Sequence, residues 1–105
     1  MNIHDLTKLE LDPSAGGNCG AFFQNDLINA RLICLNAGDK ISDSQVDSWV
    51  MFYVVQGEAR VTRDGEAAAL QENQVFISGP AVVSLESDQG ARLMGIRVSI
   101  KEETP

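Results

Sequence analysis

Histidine is almost missing from this sequence: among 105 residues there is one, His4. A catalytic zinc, iron or manganese site needs about three protein ligands drawn from imidazole, thiolate and carboxylate, so the shortage removes the commonest way of building one. Cysteine is nearly as scarce. Cys19 and Cys34 are too few for a disulfide framework and lack the paired spacing of a zinc site, and both read as reduced thiols. Basic residues are few as well. Eight Lys and Arg against fifteen Asp and Glu leave a net charge of -7 with no basic run, which argues against phosphate-backbone contacts and so against nucleic acid as a direct partner. No apolar stretch approaches the roughly 20 residues that would span a bilayer, and Met1 to Glu10 carry neither a basic region nor an apolar signal core. The expectation is a cytoplasmic chain with no membrane partner.

A chain of 105 residues sits within the usual size of one domain and buries a single core. We expect one domain over 1–105, with its barrel core at about 21–100. From Leu27 onward the sequence runs as short apolar or alternating segments divided by turn residues, the pattern of an all-β sandwich or barrel. The segments are Leu27 to Leu35, Val50 to Val55, Ala59 to Arg63, Glu66 to Leu70, Gln74 to Ile77, Val82 to Glu86 and Arg92 to Ile100. Gln56-Gly57 and Ser78-Gly79-Pro80 are among the breaks, and Asp12-Pro13 followed by Gly16-Gly17 marks a loop before the barrel. Asp64-Gly65 is the strongest local signal. A type I′ hairpin needs positive φ at both central residues, which Asp-Gly supplies at little cost, so Ala59 to Arg63 should pair with Glu66 to Leu70.

The segment GDKISDSQVDSWVMFYVVQGEARVTRDGE, beginning at Gly38, resembles the first conserved motif of the cupin superfamily, and ENQVFISGPAVVSL, beginning at Glu72, resembles the second. The resemblance implies a double-stranded β-helix, a jelly-roll barrel with a short N-terminal extension. In metal-binding cupins the first motif has a glycine, two histidines, a glutamate and a closing glycine, and the second adds one histidine. Gly38 and Gly57 match the glycines, whereas Ser44, Val46, Val50 and Val83 fall on the ligand positions. None of those four side chains is an imidazole, thiolate or carboxylate, so the expectation is a barrel with no metal and no cofactor. Metal-free sugar epimerases of the superfamily rely on a histidine base, and His4, outside both motifs, has no second histidine to join it.

Strand residues alternate faces, so Ser44 and Val46 share one face and Val50, Phe52 and Val54 another. If Val50 points inward as the resemblance implies, the old metal pocket is mostly apolar. The candidate ligand pocket is therefore Ser44, Val46, Val50, Phe52 and Val83, joined by Cys34 as a barrel-lining thiol, Tyr53 as an aromatic wall and Arg92 as an inward cation. Arg92 and Arg97 stand on opposite faces of the last strand, so only one can enter the barrel, where it needs an anion or an acid. Asp39, Asp43 and Asp47 lack calcium-loop spacing and read as a solvated edge. The outward set Met51, Tyr53 and Val55 needs cover, and a homodimer supplies it. The functional expectation is a small-molecule-binding or structural module acting as a homodimer. The alternative is a metal-independent lyase or isomerase using Tyr53, Asp47, Glu58 or an inward arginine on a small polar metabolite.

Overall fold

One fifteen-residue strand, β4 (Trp49–Arg63), organises the molecule by belonging to two sheets at once. The computed structural model describes residues 3–7 and 18–99, for Asn18, Cys19 and Asp43 the backbone alone. The Asp12-Pro13 and Gly16-Gly17 loop and Ile100 lie outside the described residues. The other strands are β1 (Asn18–Gln24), β2 (Ile28–Leu35), β3 (Lys40–Val46), β5 (Glu66–Gln71), β6 (Val75–Ser78), β7 (Ala81–Glu86) and β8 (Ala91–Val98). All pairings are antiparallel, in the order β1-β2-β8-β4-β7-β3, with β5 and β6 also on β4.

The first half of β4 pairs with β8 and β6, and the second half with β5 and β7. The sheet therefore curls over on itself at the middle of β4. A register shift between Val54 and Gln56 and a positive φ of 82° at Gly57 mark the corner, where a bulge and a glycine together let a strand change sheets. This corrects the two separate segments expected around Gln56-Gly57: the chain bends there without breaking. The hairpin at Asp64-Gly65 is as expected. Both residues have positive φ, 49° and 88°, and Ala59↔Leu70 through Arg63↔Glu66 are in register. Asp64 also fastens the turn to β7, its amide donating to the Val82 carbonyl at 2.8 Å and its Oδ1 accepting from the Val82 amide at 2.9 Å.

β1 was not drawn from the sequence, and β3 was read there only through the shared face of Ser44 and Val46, without bounds. β3 contains only Ile41 and Val46 as large apolar residues, and a register shift between Ile41 and Ser44 breaks its alternation. The core lies between the two sheets and includes Ile33, Leu35, Val50, Val54, Val61, Leu70, Val83, Leu85 and Leu93. Val54, Val61 and Leu93 are fully enclosed, and each such burial favours the folded state by about 1.5–3 kcal/mol over exposure. At one end Ser87 ties the β7–β8 loop to β4: its Oγ donates to the Glu58 carbonyl at 2.6 Å and accepts from the Gly90 amide at 2.8 Å.

Candidate functional site

Between the sheets lies a cavity of about 250 Å³. The wall from the first sheet presents Arg31 and Ile33 of β2, Phe52 of β4 and Arg97 of β8; the facing wall presents Ile41, Ser44 and Val46 of β3 with Val83, Ser84 and Leu85 of β7. Strand register explains the arrangement. Across the first sheet, Arg31, Gly95, Phe52 and Phe76 form one row, and Arg97, Val50 and Ser78 form the next. Gly95 keeps the cavity floor low, because a Cβ there would come within 3.0 Å of Ile33 Cδ1 and 3.4 Å of the Phe52 ring. Across the second sheet Ser44 opposes Val83 and Val46 opposes Ala81.

Arg31 opposes Gly95 while Arg97 opposes Asn29, so the two arginines are diagonal neighbours on one face, roughly 7–8 Å apart by sheet geometry. Among the described residues, none of the lining is acidic. Neither arginine makes an ion pair or side-chain hydrogen bond with any described residue, and Arg31 Nε is buried with no partner. Arg60 is a contrast on the outer surface. It reaches Glu86 at 2.8 Å and Asp88 at 3.4 Å, and the hydrogen bond and charge of Glu86, with help from Asp88, raise its pKa above the ordinary arginine value.

The sequence-derived pocket residues fall into separate places. Ser44, Val46, Phe52 and Val83 line the cavity together. Val50, 4% exposed, packs in the core beside them without forming part of its lining. Tyr53 is on the opposite face of β4, where its hydroxyl donates to Asn73 Oδ1 at 2.6 Å. Cys34 and Arg92 border a different hollow of about 360 Å³ at the β4 corner, with Gln56, Gly57 and Gly90. Arg92 Nε donates to the Leu6 carbonyl at 2.5 Å, so of the two β8 arginines it is Arg97 that enters the cavity. Cys34 is disulfide-bonded, which corrects its reading as a reduced thiol; Cys19, the one other cysteine in the sequence, is on the adjacent strand β1. Arg31 was not anticipated. Its signal was the alternation of Arg31, Ile33 and Leu35 along one strand face, whose last two members are buried in the core.

The ligand positions of the motif hold one hydroxyl and three isopropyl groups, and these do not fit a metal ion. No group of three His, Cys, Asp or Glu that could hold one occurs among the described residues.

The curled antiparallel sheet has many solved counterparts. A conserved protein of unknown function from Streptococcus pyogenes superposes with a TM-score of 0.80 at 17% identity, covering 95% of this chain and 89% of that one. A cupin superfamily protein from Desulfitobacterium hafniense gives 0.72 at 18% identity over 76% and 74%, and the Cnp3 cupin domain of Schizosaccharomyces pombe gives 0.78 at 17% identity over 92% and 73%. This chain has the cupin fold. At these identities the likeness concerns the fold alone, and neither a family model nor a curated protein matches the sequence. No helix of the described cupin barrel is long and apolar enough to cross a membrane.

Proposed function

We propose that the protein is a metal-free cupin barrel that binds a small molecule between its sheets and works as a homodimer. The cavity of about 250 Å³, with Arg31 and Arg97 in its lining, is the observation that carries this reading. A cavity walled by apolar side chains with a few converging polar groups is the usual form of a small-molecule site. A barrel serving only as scaffold would gain stability by filling that space. Of the groups named for the lyase or isomerase alternative, Tyr53, Asp47 and Glu58 are absent from the lining and only an inward arginine is present, a side chain that keeps its proton and so supplies no general base.

The homodimer rests on the outer face of the first sheet. Trp49 opposes Val98, which opposes Ile28, and Met51 opposes Ile77, with Trp49 51% and Ile77 59% exposed. A contiguous apolar face of this kind marks a contact surface.

Cavity binding is tested by thermal shift across a broad set of small metabolites, comparing the native protein with Ser44→Phe. Ser44 is exposed at the rim, so a phenyl group there occupies the cavity without overpacking the core. At 100 times its Kd, a ligand should stabilise the native protein by about 2.7 kcal/mol and the variant much less. Equal protection of both proteins would place binding elsewhere, and the absence of any stabilising compound would refute the reading.

A further inference from the structure

We infer that the cavity takes a small organic carboxylate with a compact apolar body, held by Arg31 and Arg97. The inference rests on the cavity being a small-molecule site and specifies the chemistry of what enters.

Two like charges on diagonal positions of one sheet face repel each other unless something negative lies between them. Here, among the described residues, nothing in the lining is negative. The shortage is local, because the chain carries fifteen Asp and Glu, and Arg60 shows two of them gathered around a single arginine. Arg31 adds a second demand. Its Nε is shut away from solvent with no acceptor, and a buried donor left unpaired is costly. One carboxylate between the two guanidinium groups would meet both demands, since each planar fork matches a carboxylate edge.

The opposite wall decides the rest of the ligand. Ile41, Val46, Val83 and Leu85 face Ile33 and Phe52, with Ser44 and Ser84 as the only uncharged polar residues of the lining among those described. Such a surface suits a hydrocarbon body and offers too few partners for a polyhydroxylated one. A space of about 250 Å³ is below the usual range for drug-sized ligands, which limits the body to a single ring or a short chain.

The test is a titration of the full-length ¹⁵N-labelled chain, followed by amide shifts, with benzoate and hexanoate, their neutral counterparts benzyl alcohol and hexanol, and inorganic phosphate. Both carboxylates should shift β2, β8 and Val83 amides saturably, and the alcohols should bind roughly tenfold or more weakly. Arg31→Gln and Arg97→Gln should each weaken benzoate by roughly tenfold and leave the alcohols unaffected. Arg97 is exposed, so its variant keeps the fold even if the Arg31 variant does not. Alcohols binding as well as acids would overturn the anionic requirement while leaving the small-molecule reading intact. Phosphate binding as well as benzoate would overturn the apolar body. If no probe shifts the lining amides, the carboxylate inference falls, and the broader screen against Ser44→Phe still judges the small-molecule reading independently.

Discussion

Gly57 carries two constraints that Gly38 shows only in part. Both residues have positive φ, 82° and 85°, a conformation that costs an L-residue roughly 1–2 kcal/mol. At Gly38 a Cβ would meet nothing, whereas at Gly57 it would collide with the carbonyl oxygen of Gly90. Gly38→Ala should therefore cost about 1 kcal/mol, and Gly57→Ala distinctly more, because the β7–β8 loop must move as well. Urea unfolding midpoints of the two variants measure the difference. Equal losses would mean that backbone strain alone sets the cost and that the contact between Gly57 and Gly90 yields freely.

At the scale of elements, the legible features were those with strong local chemistry. Asp64-Gly65 fixed its hairpin because two adjacent positive φ angles need that kind of dipeptide. The alternation around Val50, Phe52 and Val54 correctly separated the inner face of β4 from the outer face bearing Met51 and Tyr53. The extent of β3 was illegible because KISDSQV has little apolar signal and a register shift breaks its period. Arg31 stayed hidden for another reason: its importance comes from standing diagonally to Arg97, and that neighbour relation exists only once β2 and β8 pair. The same pairing logic yields a test of strand placement. Ser44 and Val83 are direct partners, Val46 is two positions along β3, and Val50 is buried between the sheets. Replacing Ser44, Val46 and Val83 with His and Val50 with Glu should create the three or more ligands a zinc or nickel site needs. Calorimetric titration of the folded four-site variant should show about one metal per chain, against none for the parent. A variant that folds and binds no better would mean the four side chains do not converge and the β3 alignment is displaced.

At the scale of the whole molecule, the distribution of apolar surface differs between the two sheets. On the outer side of the second, β5 exposes Ala67 and Ala69, the latter opposite Arg60 with its Glu86 partner, whereas the first exposes Trp49, Val75, Ile77 and Val98. The first sheet has the exposed aromatic ring and most of the exposed aliphatic side chains of the kind that dominate protein contacts, while the second sheet exposes Val82 at 37%. A net charge of -7 opposes self-association at long range, so an apolar face must overcome that repulsion for two copies to meet. A two-fold axis through this sheet would bury one patch against its own copy, and a stable contact requires roughly 800 Å² from each partner. Sedimentation at micromolar concentration should accordingly give twice the 11.4 kDa chain mass. Trp49 is the sole tryptophan and stands 51% exposed on that face, so its emission should shift to the red as dilution separates the copies. Ile77→Glu would set two carboxylates against each other across the axis and should give a monomer that still folds, since Ile77 is 59% exposed. Salt should narrow the gap between variant and parent by screening that repulsion. A native chain that sediments as a monomer, with emission insensitive to concentration, would leave the apolar face without a second copy to cover it and remove the homodimer from the proposed function.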